Sequence, residues 1–255
     1  MGSLWGRLDD VQHDAGYADH PPRKGFFTDT SVCIGCKACE VACKEWNQVP
    51  DDGYLLTGMS YDNTQELGAS TWRHVAFVEK PFETVAAQPP QEPPVETVDL
   101  GMPGLGAPPG EDQATESGTD GVKWLMSSDV CKHCTHAACL DVCPTGALFR
   151  TEFGTVVVQP DVCNGCGYCV PACPFGVVDL DEQDGKAHKC TLCYDRLKGG
   201  LEPACAKACP TDSIQFGELD ELDERAHRRV EELHDRGVRD AYLYGAPGGP
   251  GATGG

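Results

Sequence analysis

The sequence predicts an α+β fold in which short strands and short helices surround four groups of cysteine residues. Sixteen cysteines occur among the 255 residues, and short apolar runs typical of strands lie between the groups. Aromatic residues make up only 7% of the chain, while glycine and proline are abundant, which predicts a thin apolar core. A thin core needs further stabilisation, and the cysteine groups are the evident source of it.

The cysteine pattern is itself an internal repeat. It begins with VCIGCKACEVACKEWN, in which four cysteines occupy a segment too short to form a hydrophobic core. No cysteine is left over, and the four groups are Cys33, Cys36, Cys39 and Cys43; Cys131, Cys134, Cys139 and Cys143; Cys163, Cys166, Cys169 and Cys173; and Cys190, Cys193, Cys205 and Cys209.

Regular elements are expected within and between these groups. A short helix should begin near the third cysteine of each group, as in CEVACKEW. The longest helix is predicted in LDELDERAHRRVEELHDRG, which Gly237 ends and whose apolar positions, spaced to pack on the domain, are Leu219, Leu222, Ala226, Val230 and Leu233. The strand-like runs are HVAFVEK near Val75, GALFR near Leu148, GTVVVQP near Val157, GVVDL near Val177 and SIQFG near Ile214.

Two segments differ from this pattern. Residues 81–121 are rich in proline, glycine and acidic residues and contain no cysteine, which predicts a long solvated loop or disordered insert. Residues 245–255 are rich in glycine and are predicted to form a flexible tail.

Charge and hydropathy exclude several classes of protein. The formal net charge is −20, so nucleic-acid backbones and anionic membranes should be repelled and are not expected as direct partners. The N-terminal MGSLWGRLDDVQHDAGY lacks the apolar region of a secretory signal, and no run of about 18 apolar residues that could span a bilayer occurs. A missing signal disfavours a framework of disulfides.

The cysteine spacing favours iron–sulfur clusters over zinc. Structural zinc is usually held by two separated C-x2-C pairs, whereas the first and third groups read C-x2-C-x2-C-x3-C. Three closely spaced thiolates can each reach a different iron of one cuboidal cluster, and in two-cluster ferredoxins the fourth cysteine binds the other cluster. Proline follows the last cysteine of the second, third and fourth groups, as in that ferredoxin pattern, but Lys44 takes this place in the first. We therefore expect four [4Fe–4S] clusters, with zinc or disulfides as the alternatives.

Other residues near the cysteines are expected to act indirectly. Gly35, Gly165 and Gly167 should allow tight turns that bring backbone N–H groups towards the cluster sulfurs. His133 and His136 lie inside a group that already has four cysteines, so a solvated or supporting role is expected for both. Lys189 and Lys37 lie beside cysteines and could raise cluster potentials, although a solvated charge is the simpler expectation for each.

The sequence predicts an electron carrier rather than a catalyst. No cysteine remains to act as a nucleophile, and the chain has no glycine-rich dinucleotide fingerprint, H-E-x-x-H motif or phosphate-binding loop. Clusters with four cysteine ligands have no open iron site. We therefore expect no catalytic residue in this chain and no direct substrate.

Several segments resemble a known family. CIGCKACEVACKEWN, YDNTQELGASTW, CNGCGYCVPACPF and KCTLCYDRLKGGLEPACAKACPT are similar to segments of the iron–sulfur β subunit of respiratory, membrane-bound formate dehydrogenase. The cysteine groups are shared more widely, with subunits serving other molybdopterin enzymes such as dimethyl sulfoxide and polysulfide reductases. The resemblance covers about residues 25–244, apart from residues 81–121.

The resemblance implies two ferredoxin-like domains, each with two clusters. One would comprise residues 25–80 and 186–244, and the other residues 122–185. It also implies that cysteines from different groups share a cluster. The implied ligand sets are the first set, Cys33, Cys36, Cys39 and Cys209; the second set, Cys43, Cys190, Cys193 and Cys205; the third set, Cys131, Cys134, Cys139 and Cys173; and the fourth set, Cys143, Cys163, Cys166 and Cys169.

The resemblance further implies the partners. Electrons from formate would enter from a catalytic α subunit with a molybdenum or tungsten pterin, and would leave to a cytochrome b subunit and quinone. The complex would lie in the cell envelope, peripheral to the cytoplasmic membrane, and on its periplasmic face if carried there with an exported α subunit. Family members often continue into a C-terminal membrane helix, so the chain is expected to be either a soluble variant or incomplete. The alternative functions are the same role for another molybdopterin oxidoreductase, or an interaction module held together by zinc or disulfides.

Overall fold

The computed structural model describes residues 10–51, 62, 64–81 and 122–245. The chain divides into two compact units, one comprising Met1–Phe77 and Met126–Gly255 and the other Val78–Leu125. The first unit contains all four cysteine groups, and its division into two domains stays a prediction. The insert predicted at 81–121 lies outside the described residues except for Pro81, as does the predicted tail except for Gly245.

The described elements are short and mixed, as expected for an α+β fold. The helices are α1 (Val11–Asp14), α2 (Ala38–Asn47), α3 (Ala138–Asp141), α4 (Cys169–Ala172), α5 (Tyr194–Lys198), α6 (Ala204–Lys207) and α7 (Leu219–Asp235). The strands are β1 (Lys24–Thr28), β2 (Arg73–Pro81), β3 (Val122–Val130), β4 (Leu148–Arg150), β5 (Val156–Val158), β6 (Asp179–Leu180), β7 (Ala187–His188) and β8 (Ile214–Glu218).

The strands pair two by two, β1 with β8, β2 with β3, β4 with β5, and β6 with β7. In the antiparallel β1–β8 pair, Lys24 lies opposite Glu218 and Thr28 opposite Ile214. Because β1 precedes the first cysteine group and β8 follows the fourth, this pairing brings the two most distant groups to the same part of the molecule.

Cysteines form much of the apolar interior. One buried cluster contains Cys39, Val75, Cys205, Ala206 and Ile214. A second combines residues of β4, β5 and the segments that follow the second and third cysteine groups; its most buried members are Val156, Val178 and Ala187. This agrees with the prediction of a thin core, since thiol side chains fill space that larger apolar residues occupy in most domains.

The long helix predicted at the end of the chain is confirmed as α7. It packs against β1 and β8, and it buries Leu222 and Ala226. Arg229 holds it to the segment just before the first cysteine group, since its Nε donates to Oδ2 of Asp29 over 2.7 Å. Gly237, with φ of 88°, follows the helix end as expected.

The strand prediction was accurate for four of the five runs. The exception is GVVDL, because Val177 and Val178 are buried but unpaired, and β6 begins only at Asp179. Three other strands, β1, β3 and β7, were not anticipated. β1 is the short segment KGFFT, and its pairing partner is the distant strand β8, so no local pattern identifies it.

Candidate iron–sulfur centres

Two pairs of short helices carry or precede the later cysteines of the four groups. In the first pair, α2 contains Cys39 and Cys43, while α6 contains Cys205 and is followed by Cys209; the two helices pack against each other. The second pair repeats this arrangement. There α3 contains Cys139 and is followed by Cys143, and it packs against α4, which begins at Cys169 and is followed by Cys173.

The first set surrounds a single cavity. Its lining includes Cys33, Cys36, Cys39 and Cys209, together with residues of β2, β3 and the start of β8. Cys209 comes from the last cysteine group, yet it faces the three leading cysteines of the first group. The chain reaches this arrangement because β1 pairs with β8 and α2 packs on α6.

The second set is fully buried. Burial and then the charges of Cys205 and Cys193 raise the pKa of the Cys43 thiol to about 12. Burial first, and then the charges of Cys43, Cys131 and Cys205, raise the pKa of the Cys190 thiol well above its usual range. Asn47 joins two members directly, since its Nδ2 lies 3.7 Å from the Sγ atoms of both Cys43 and Cys193.

The cysteines of the implied third set also lie near one another. Burial raises the pKa of the Cys139 thiol to about 11; the charge of Lys189 opposes this rise, and those of Cys131, Cys173 and Cys134 add to it. Cys173 comes from the third cysteine group, whereas the other three belong to the second.

The fourth set also combines cysteines of the second and third groups, but most of them come from the third. Burial raises the pKa of the Cys169 thiol, and the charges of Cys163, Cys143 and Cys166 raise it further. Here Cys143 comes from the second group and the rest from the third. Charges also act across the boundaries of the implied sets, from Cys205 on Cys39 and from Cys131 on Cys190, so the assignment of cysteines to clusters stays a prediction.

The donor set suits iron–sulfur clusters better than its alternatives. All sixteen cysteines are free thiols, so none forms a disulfide. Tetrahedral zinc with Zn–S bonds of about 2.3 Å would bring its four sulfurs within about 3.8 Å of one another. Among the described residues, the group of three potential ligands whose atoms lie within 4.8 Å of one another is Asp181, Asp184 and His188, which includes no cysteine. The wider spacing fits thiolates that each bind a different iron of one cluster.

Backbone amides and tight turns complete the sites. Ala187 N donates to Cys163 Sγ over 3.4 Å, and Leu192 N to Cys190 Sγ over 3.3 Å. As predicted, Gly165 adopts positive φ, at 70°, in the loop of the third group. A Cβ atom there would lie 2.2 Å from the carbonyl oxygen of Gly185, so only glycine permits this close approach of two loops.

Comparison with known proteins agrees with this geometry. Two models described as 4Fe-4S dicluster domain match residues 32–147 and 122–219. The chain is 38% identical to the nitrate-inducible formate dehydrogenase iron–sulfur subunit of Escherichia coli over 236 residues, which is 92% of this chain and 67% of the relative.

This protein belongs to the formate dehydrogenase iron–sulfur subunit family. A second member, the formate dehydrogenase iron–sulfur subunit of Haemophilus influenzae, is 37% identical over 90% of this chain and 62% of its own length. The B subunit of anaerobic dimethyl sulfoxide reductase from Escherichia coli is 33% identical over 78% of this chain and 75% of its own length. The chain thus spans about two thirds of the length of the formate dehydrogenase subunits it matches. The resemblance inferred from the quoted motifs is confirmed.

Four [4Fe–4S] clusters are the cofactors of this family member, since two dicluster models and sixteen cysteines account for them together. In the part of the chain that the structure describes, each helix falls short of the length and apolar character needed to cross a bilayer.

Two lysines near the cysteines of this formate dehydrogenase-type subunit differ from expectation. Lys189 is only 1% exposed, so the prediction of a solvated charge is wrong. Lys37 is not freely solvated either, because its Nζ lies 3.3 Å from Glu40 and 3.4 Å from Asp62, and 5.7 Å from the centroid of the Phe77 ring.

The two histidines of the second group differ from each other. His136 is exposed, as expected. His133 is buried, and its Nδ1 accepts a hydrogen bond from Val156 N over 3.1 Å. Burial, followed by the charges of Lys189 and Arg23, lowers its pKa well below the usual range, so the ring is neutral. It supports the backbone of β5 and donates nothing to the cysteines.

The sequence did not reveal three polar residues that lie near the cysteines of this subunit, two of them in contact with a thiol and one of them, Arg73, bonded to Ser128. Asn47 lies beside the second set, as described above. Ser128 Oγ lies 3.7 Å from Cys39 Sγ and accepts a hydrogen bond from Nη1 of Arg73 over 3.0 Å. Arg73 is buried at the start of β2, but the same strand exposes Val78 and Glu79, so no pattern in the sequence marks it as buried.

The four sets differ in their access to solvent. Of the sixteen cysteines, Cys36 and Cys166 are the exposed ones, and they belong to the first and fourth sets. Each lies next to an exposed apolar side chain, Ile34 at 59% and Tyr168 at 61%. All four cysteines of the second set are buried.

Proposed function

We propose that this chain is the electron-transfer subunit of a formate dehydrogenase, with the four sets holding one [4Fe–4S] cluster each. When bound, such clusters take up and release single electrons through their iron and sulfide atoms. The observation that carries the proposal is the difference in solvent access of the sets, because the first and fourth each have an exposed cysteine while all four cysteines of the second are buried. The family relationship supports the choice of formate dehydrogenase.

Neighbouring sets share structural elements or are linked by a side chain. The first and second share the helix pair α2 and α6, and Cys39 and Cys205 lie in one buried cluster. The second and third approach each other at Lys189, which directly precedes Cys190 and whose Nζ lies 3.7 Å from Sγ of Cys131. The third and fourth share the helix pair α3 and α4. Such a series suits transfer of electrons from one end of the chain to the other.

Two exposed surfaces are the proposed points at which electrons enter and leave. At the first set, Cys36 and Ile34 face solvent on the loop that precedes α2; at the fourth set, Cys166 and Tyr168 do so on the loop that precedes α4. We propose that one of these surfaces meets a molybdopterin catalytic subunit and the other a cytochrome b subunit. The complex would then be peripheral to the cytoplasmic membrane, in the cell envelope.

A second function has specific support. The sequence covers a larger share of the dimethyl sulfoxide reductase B subunit, 75%, than of the formate dehydrogenase subunits, and it matches the thiosulfate reductase electron transfer subunit PhsB of Salmonella typhi at 38% identity. The same four sets would serve a reductase equally well, with electrons flowing in the opposite direction.

The test uses the native complex, purified anaerobically through an affinity tag on this subunit. The co-purified large subunit is identified by mass spectrometry, and formate is then added while visible absorbance and paramagnetic resonance are recorded. We expect formate to reduce the clusters, whereas dimethyl sulfoxide and thiosulfate should fail to reoxidise them. Reoxidation by either compound, together with no response to formate, would overturn the proposal in favour of a reductase subunit.

A further inference from the structure

Two cationic side chains are buried among the cysteines without a carboxylate. Arg73 and Lys189 are each 1% exposed, and neither forms an ion pair with an acidic residue among those the structure describes. Burying a charge is costly unless an opposite charge or hydrogen-bond acceptors accompany it. The sequence carries an excess of acidic residues, so the absence of a carboxylate at these two described positions points to another source of negative charge.

Arg73 lies where the first and second sets meet. Its guanidinium lies over the Phe26 ring, 4.8 Å from the centroid, and its Nη1 donates to Ser128 Oγ, which also contacts Cys39 Sγ. Burial alone would lower the pKa of Arg73, but the charges of Cys205, Cys190, Cys39 and Cys43 raise it. These four cysteines include members of both sets.

Two donors of Arg73 are left over. Nε and Nη2 are buried and have no hydrogen-bond partner among the described residues. Buried guanidinium N–H groups without an acceptor are rare, because their removal from water costs free energy that no hydrogen bond then offsets. An acceptor bound between the two sets would satisfy them.

Lys189 occupies the equivalent place between the second and third sets. It is the residue before Cys190 of the second set, and its Nζ lies 3.7 Å from Sγ of Cys131 in the third set. Two carbonyl groups hold the ammonium there, those of Val156 and Cys190, the latter at 2.9 Å. The side chain is therefore fixed at the junction instead of reaching into solvent.

We propose that Arg73, between the first and second sets, and Lys189, between the second and third sets, set the reduction potentials of the clusters on either side of them. This inference rests on the proposed ligand sets. Each fixed positive charge favours the more negative, reduced form of both neighbouring clusters, and the low dielectric of the interior strengthens the effect. The charges also offset repulsion between adjacent anionic clusters, which would otherwise oppose the presence of an electron on both.

The test compares charge removal with charge retention at each junction. Arg73→Met and Lys189→Met remove the charges with little change in volume, while Arg73→Lys and Lys189→Arg keep them. Each purified complex is first analysed for iron. The potential of each cluster is then measured by redox titration with chemical reductants, followed by paramagnetic resonance.

We expect Arg73→Met to disfavour reduction of the first-set and second-set clusters by about tenfold, which is about 59 mV for one electron. Lys189→Met should do the same for the second-set and third-set clusters. The fourth-set cluster should respond to neither variant, and both charge-retaining variants should stay within about twofold of the wild type, which is about 20 mV. Unshifted potentials in an iron-replete Met variant, or equal shifts of all four clusters, would overturn the proposal.

The proposal can still be tested if one of the variants fails to assemble. If Arg73→Met loses iron, Arg73→Lys and both Lys189 variants provide the comparison, and a Lys189→Met complex with wild-type potentials would reject the mechanism. Chemical titration does not require formate, so failure of the proposed function leaves these results intact. If the ligand sets are wrong, single cysteine variants will assign the shifted signals to clusters other than the pairs named here.

Discussion

Asn47 donates from one side-chain nitrogen towards the Sγ atoms of both Cys43 and Cys193, each at 3.7 Å. Asn47 and Cys193 are 146 residues apart in sequence. The same nitrogen also donates to the carbonyl oxygen of Cys43 over 2.9 Å, which fixes the orientation of the amide. A single side chain at the end of α2 thus connects the first cysteine group to the fourth.

The crossed ligand sets predict the same outcome for two cysteines far apart in sequence. Cys36→Ala and Cys209→Ala each remove one thiolate of the first set, so both should convert or abolish the same cluster. The expected product is a three-iron centre or an empty site, while the other three clusters keep their signals. Paramagnetic resonance of the reduced and oxidised complexes measures this directly.

Cys166→Ala is the matched control, because Cys166 is exposed like Cys36 but belongs to the fourth set. It should alter a different signal from the other two variants. If Cys36→Ala and Cys209→Ala perturb different clusters, the pairing of the first and fourth groups is wrong.

Metal analysis tests the identity of the cofactors. Four [4Fe–4S] clusters predict about sixteen irons and about as many acid-labile sulfides per chain after anaerobic purification. Treatment with an iron chelator under oxidising conditions should remove the brown colour and lower the free energy of unfolding, because the cysteines join distant segments. A preparation with stoichiometric zinc and little iron would reject the cluster assignment.

Asn47 provides a prediction about cluster potential. Asn47→Leu removes the amide donor beside Cys43 and Cys193, so the second-set cluster should become harder to reduce. Loss of one hydrogen bond of about 1 kcal/mol corresponds to about 40 mV for a single electron. Redox titration should show this shift in that cluster alone.

Asn47→Asp keeps the shape of the amide and adds a negative charge, and it should lower the same potential further than Asn47→Leu. A smaller effect of the aspartate than of the leucine would mean that the amide does not act on the cluster through its donor.

Local patterns in the sequence predicted most of the elements that carry cysteines. The helices around Cys39, Cys139, Cys169 and Cys205 all occur where the spacing placed them, because the cysteine motif leaves little choice of backbone. What local patterns could not supply was the pairing of distant segments. β1 pairs with β8 only in the folded chain, and the ligand sets that combine cysteines of different groups were inferred from a family resemblance.

The burial of Lys189 and Arg73 is a second feature that could not be predicted from the sequence. A lysine beside a cysteine looks solvated when read in sequence, since lysine is rarely buried without a counter-ion. Lys189 is buried because β5 and the third set surround it, and neither lies near it in sequence. Arg73 was overlooked for the same reason, as its significance depends on where α2 and α6 bring their cysteines.

Substitution of Gly165 tests whether the close approach of two loops supports the fourth set. With φ of 70° and a backbone carbonyl 2.2 Å from the position of a Cβ atom, Gly165→Ala must displace the turn that contains Gly185. That turn connects β6 to β7, and β7 begins with Ala187, whose N–H donates to Cys163 Sγ. The variant should therefore loosen the fourth set and lower its cluster occupancy, as measured by iron content and by the fourth-set paramagnetic signal.

Gly176→Ala separates the clash from the effect of backbone conformation. Gly176 also has positive φ, at 62°, but a Cβ atom there would meet nothing within 4 Å. It should cost only the strain of a left-handed alanine, about 1 kcal/mol of unfolding free energy, and should retain all four clusters. Gly165→Ala should cost more than this and should affect the fourth-set cluster before the others, because the displaced turn leads into Ala187, whose N–H donates to Cys163 of that set. Equal losses for the two variants would show that the approach of the two loops is not what holds the site together.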